Sequence, residues 1–146
     1  MPTKIKAPLK VQVKFGEYSA ELKGNIIRLD GKGVVTKALF QRYHEDVKKL
    51  ALPLGGQPWG FLIFVQGVGI LTPHAEQALI ESVHLRKQYG MQACAFVTRD
   101  ADIPALVKSQ FERVYAASNL ACYFSDSENE ALAWLAALGC SLDKDR

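Results

Sequence analysis

The sequence predicts one α/β domain: a mixed sheet of five to six strands, antiparallel at its N-terminal meander and parallel beyond, with four helices. Two patterns carry this reading. Residues 9 to 30 hold three short runs in which apolar and polar side chains tend to alternate, separated by Gly16 and by Lys23-Gly24, as in a meander with one wet face. From Thr36 onward the apolar spacing lengthens to three or four, and helix-like and strand-like segments then take turns, which implies parallel strands joined by helical crossovers. A chain of 146 residues fits one such domain and buries roughly two-thirds of its unfolded surface without staples.

In order, strands are expected over residues 9 to 15, 17 to 22 and 25 to 30, the last ended by Gly31-Lys32-Gly33. Leu39, Phe40, Tyr43, Val47 and Leu50 then fall on one helical stripe, with Thr36 as N-cap, and the run from Pro53 to Pro58 closes that helix. Three strand and helix pairs follow: 61 to 66 into 73 to 88, 92 to 98 into 103 to 117, and 121 to 124 into 128 to 138. The helix at 103 should bury Ile103, Leu106, Val107, Phe111 and Val114. The last helix carries two overlapping capping boxes, Ser125 with Glu128 and Ser127 with Glu130, faces the core with Ala131, Leu132, Trp134, Leu135 and Leu138, and stops at Gly139. Residues 1 to 8 and 140 to 146 are expected as flexible tails around a domain at 9 to 139.

Composition narrows the functional classes. Apolar residues make up 49% of the chain and charged residues 23%, which suits a packed domain rather than disorder. No apolar run approaches the roughly 20 residues of a spanning helix, and no signal core leads the chain, so a cytoplasmic protein is expected. Cys94, Cys122 and Cys140 are odd in number and form no CxxC pair, the usage of reduced core thiols. Residues 1 to 50 hold eleven Lys and Arg against five acids, but the basic residues are dispersed and no nucleic-acid motif accompanies them, so no nucleic-acid partner is expected.

Motifs for hydrolytic, P-loop or zinc chemistry are absent. His74 and Glu81 could share a helix face, but two ligands do not close a metal site, and neither a metal nor a cofactor is expected. What remains is the turn after the apolar run that begins at Trp59: Gly67-Val68-Gly69-Ile70-Leu71-Thr72-Pro73-His74. Its glycine spacing lacks the third glycine and the acidic residue of a dinucleotide site. As a helix start it accounts for each residue: Thr72 caps, Pro73 occupies the first helical position, and Glu76 complements the dipole.

The order of elements resembles the STAS domains, and several stretches do so in detail. Leu29-Asp30-Gly31 before the first helix resembles that family's Leu-x-Gly turn, 61 to 79 its central strand and helix, and 124 to 135, with Glu130-Ala131 and Trp134-Leu135, the SpoIIAA-like branch related to STAS and SEC14 domains. Antagonist members carry a phosphorylated serine in an Asp-Ser-Gly turn at this helix start. Here Leu71, Pro73 and His74 depart from that turn and only Thr72 keeps a hydroxyl. The resemblance implies a noncatalytic module that binds a partner protein or an apolar, lipid-like ligand around Trp59, Gly67, Val68, Gly69, Ile70, Leu71, Thr72 and His74, with peripheral membrane contact and homodimer formation compatible with it. The alternative is an enzyme or a phosphoswitch that holds a phosphate at the 67 to 74 helix start, with Thr72 as phosphosite.

Overall fold

The computed structural model describes residues 9–12 and 16–143. The tail expected at 1 to 8, residues 13 to 15 of the first expected strand, and 144 to 146 lie outside the described residues. Six strands form one sheet: β1 (Leu9–Gln12), β2 (Gly16–Lys23), β3 (Ile26–Gly33), β4 (Trp59–Gln66), β5 (Met91–Val97) and β6 (Ala121–Ser125). Their order across the sheet is their order in the chain. β1, β2 and β3 pair antiparallel, and β3 to β6 pair parallel. Four helices accompany them: α1 (Lys37–Ala51), α2 (Pro73–Gln88), α3 (Pro104–Ala116) and α4 (Glu128–Ala137).

Strand order fixes which side each helix takes. α1, α2 and α3 each connect a parallel strand to its next neighbour in the same direction along the sheet, so the right-handed crossover rule sends all three to one face. That face holds the larger core, including Trp59, Phe61, Ile63 and Val65 of β4 under Val47, Val83, Val107 and Phe111. α4 has no strand to return to and covers the opposite face, where Ala131, Leu135 and Cys140 pack on Ile26, Leu62, Phe64, Ala93, Ala95 and Val97. β4 is therefore covered on both sides, which is why it reads as a continuous apolar run. Gly60 permits the close approach of this cover, since a Cβ there would lie 3.0 Å from Leu135 and from Cys140.

Helix starts follow the sequence. Thr36, Thr72 and Ser127 each accept from the backbone N-H three residues on, at 3.3, 3.3 and 3.2 Å. Ser125 does not cap; its hydroxyl accepts from Ser127 N-H and donates to Glu130.

Two further expectations change. Ile103 and Leu106 are 56% and 38% exposed, because α3 turns Val107, Gln110, Phe111, Val114 and Tyr115 inward instead. Residues 140 to 142 are packed rather than loose. Cys140 is fully buried, Leu142 packs on the second core, and buried Asn25 clips the segment: its side chain donates to the carbonyls of Pro58 and Gly139, both at 3.0 Å, and accepts from Ser141 N-H at 2.8 Å. Replacing Asn25 by alanine should cost about 2 to 3 kcal/mol, from three largely shielded hydrogen bonds. In urea melts the extrapolated unfolding free energy should fall by that amount, and hydrogen exchange should quicken first at residues 139 to 142.

Candidate functional site

The turn from Gly67 to Thr72 connects β4 to α2 and is tied on every side. Val35 N-H donates to Ile70 carbonyl at 2.9 Å, and Thr72 N-H donates back to Val35 carbonyl at 3.2 Å. On the other flank Gly67 N-H donates to Asp100 carbonyl at 3.0 Å and Asp102 N-H to Gly67 carbonyl at 2.7 Å. The middle is clamped by a side chain the sequence did not single out. Gln110, 6% exposed, accepts from Leu71 N-H and donates to Gly69 carbonyl, both at 2.9 Å. Its signal was available: position 110 lies on the buried stripe with 107 and 114, and a carboxamide on an apolar stripe needs a buried polar partner.

Gly69 has φ +61, and a Cβ added there would stand 2.5 Å from Val65 Cγ1 and 3.1 Å from Val107 Cγ2. This glycine therefore serves both the left-handed backbone and the close approach to the core. Val68 is exposed, Ile70 half-buried, Leu71 buried, Thr72 half-buried and His74 exposed. Trp59, expected beside them, is fully buried at the opposite end of β4, where its indole N-H donates to Tyr89 carbonyl at 3.2 Å. Eight residues of extended strand put it about 20 Å or more from the turn.

Behind the turn lies an apolar cavity of about 70 Å³. Leu29, Ile63 and Val65 of the sheet, Leu39 and Tyr43 of α1, and Leu71 of the turn are among its walls, and the exposed Lys32 stands at its rim with Gly33. Tyr18, also in the wall, is held to α1 by donating its hydroxyl to Asp46 at 2.5 Å. The sequence placed an apolar mouth beside Ile70 and Leu71 but drew its walls from chain neighbours of the turn. The structure draws most of them from β3, β4 and α1.

Deeper between α1 and α2 sits Arg86, fully buried. It donates from Nη1 to Tyr43 hydroxyl at 3.2 Å, so Tyr43, a cavity-lining residue, also contacts Arg86. Nearby, His44 Nδ1 and Ser82 Oγ lie 2.6 Å apart. Burial, then the Arg86 charge, pushes the His44 imidazole below its ordinary pKa. Among the described residues no three His, Cys, Asp or Glu side chains gather as a metal site would require, and no helix is long and apolar enough to cross a membrane.

A consecutive six-stranded sheet, antiparallel then parallel, with three helices on one face and one on the other, defines a SpoIIAA-like α/β domain. The chain is similar in structure to an uncharacterized protein of the DUF3478 family with a SpoIIAA-like fold from Shewanella loihica PV-4, at a TM-score of 0.58 and 15% identity, over 86% of this chain and 98% of that one. At this identity the likeness is one of fold. No protein-family model matches the sequence, and no curated protein matches it.

Gln110→Ala should cost about 3 kcal/mol, because it strands a buried N-H and a buried carbonyl. Gly69→Ala should cost about 2 kcal/mol or more through strained φ and overpacking. Urea unfolding with an unchanged m-value checks both. His44 gives a pH dependence of known sign. Its folded pKa lies below the unfolded value of about 6.5, so folding disfavours the protonated ring, and stability should decline as pH falls through that value toward the folded one. The unfolding midpoint at pH 5 and 7.5 should differ less in His44→Gln than in the wild type.

Proposed function

We propose that this chain is a noncatalytic SpoIIAA-like module that takes an apolar group, from a small ligand or from a partner protein, into the cavity behind the 67 to 74 turn. The cavity itself is the observation that supports this reading. Close-packed interiors leave few voids larger than a water molecule, and dry apolar voids bind apolar guests. The turn in front of it is held by Val35, Gln110 and the 100 to 102 backbone, so the wall offers a stable shape to a guest.

Geometry at the helix start weighs against the rival reading, in which a phosphate is held there. Pro73 has no N-H, Thr72 N-H is bonded to Val35, Ala75 N-H to the Thr72 hydroxyl, and Glu76 N-H to Thr72 carbonyl. His74 alone of these residues keeps a backbone N-H with no such bond, and the Thr72 hydroxyl is engaged as cap. An anion site needs several converging donors.

The test is a titration with 1-octanol followed by amide NMR. Shifts should concentrate at Gly33, Leu39, Gly69 and Leu71 and spare the Trp59 to Tyr89 end of the core. Val35→Phe, which places a ring at the cavity wall from a half-buried position, should fold and lose those shifts. Perturbations scattered over the surface, or none at all, would sink the proposal.

A further inference from the structure

Arg86 is a guanidinium without an anion. It is 0% exposed, its Cζ lies 4.7 Å from the Tyr43 ring centroid and 5.6 Å from that of Phe61, and Nη1 donates to the Tyr43 hydroxyl. Nε and Nη2 make no hydrogen bond of good geometry, and neither do the buried hydroxyls of Tyr89 and Tyr115, which lie beside Arg86 and Cys94 respectively. Among the described residues no carboxylate forms an ion pair with it. An arginine does not shed its proton, so burial cannot neutralise it. Ring faces and one neutral hydroxyl offset only part of the lost hydration.

The two unpartnered nitrogens are informative together. Nε and Nη2 form one edge of the planar fork, and their parallel N-H bonds match the two oxygens of a carboxylate. The same edge could meet a phosphate oxygen pair, but a phosphate carries more charge and more acceptors than one guanidinium and two hydroxyls can satisfy. A monoanion fits the inventory. Tyr43 links this place to the cavity, since it is one of the cavity's lining residues and its hydroxyl accepts from Arg86. Arg86 is not itself in the cavity wall, so a guest reaches it only if the Tyr43 side chain turns aside.

We infer that the guest of the cavity is an aliphatic monocarboxylate, its carboxylate held by Nε and Nη2 of Arg86 and its alkyl chain lying in the cavity toward the rim at Lys32. This rests on the cavity-binding reading above and adds the chemical class of the ligand. A volume of about 70 Å³ takes only about two carbon groups, so a longer chain continues past the rim into water or onto a partner.

Octanoate and 1-octanol, equal in chain length, separate the charge from the tail. Both are titrated into the full chain by calorimetry, and the arginine Nε-H resonance of Arg86 is followed by NMR. Octanoate should bind about tenfold tighter or more, the worth of a charge-assisted bond over a neutral one, and should shift the Arg86 Nε-H where 1-octanol does not. In Arg86→Met the ratio should fall to about one with 1-octanol affinity retained, since an apolar replacement of a buried charge is often tolerated. If 1-octanol binds at the cavity and octanoate binds no better, the inference is wrong while the cavity reading stands. If neither binds, both are wrong. A preference for octanoate that survives in Arg86→Met would place the attraction at the surface near Lys32 and overturn the assignment to Arg86. Should that variant fail to fold, the Nε-H resonance in the wild type decides alone.

Discussion

The handedness of the crossovers governs this molecule. With parallel strands laid down one after another in a single direction, each right-handed connection must pass over the same side of the sheet. Three helices crowd that side, and the other is left to one short helix and the segment after it. The consequences run through the whole structure. The thick side has a core deep enough to hold a cavity and a buried guanidinium, while the thin side depends on small residues, Gly60, Ala93 and Ala95, to bring a ten-residue helix close. On that side Arg28 of β3 lies over Phe64 and pairs with Glu128 at 3.1 Å, fastening the start of α4 to the sheet.

Much of this was legible because it depends on local pattern. Strand alternation, the all-apolar β4 and three of the caps follow from residues within a few positions of one another, where propensity and capping act. What was not legible depends on partners distant in the chain. The stripe of α3 was read one turn too early, because the apolar residues of its first turn, Ile103 and Leu106, attract notice. The actual inward position is a glutamine whose value comes from backbone groups 39 and 41 residues away. Asn25 was read as the first residue of a strand, and the polar C-terminal segment as a tail, yet each supplies the other's hydrogen bonds.

The candidate site shows the same division. The turn at 67 to 72 was visible as a helix start, and its glycines and cap behave as their chemistry requires. Its surroundings were drawn from sequence neighbours, which a strand carries out of reach at over 3 Å per residue. That geometry removes Trp59 from the site and brings in β3 and α1. Arg86 was hidden for a related reason: a basic residue near the end of a helix reads as a complement to the helix dipole, and only the packing of three tyrosines and a phenylalanine reveals that it faces the interior.

The cover on the thin side is also the last of the described elements in chain order. During synthesis, the strands and their first three helices emerge with Leu62, Phe64, Ala95 and Val97 still bare, and that surface stays exposed until α4 and residues 140 to 142 clear the ribosome. A half-made chain of this kind offers an apolar plate to chaperones and to its own kind. Its yield in a cell should therefore respond to translation speed over the codons of α4 and residues 140 to 142 more than to speed over those of β2 and β3.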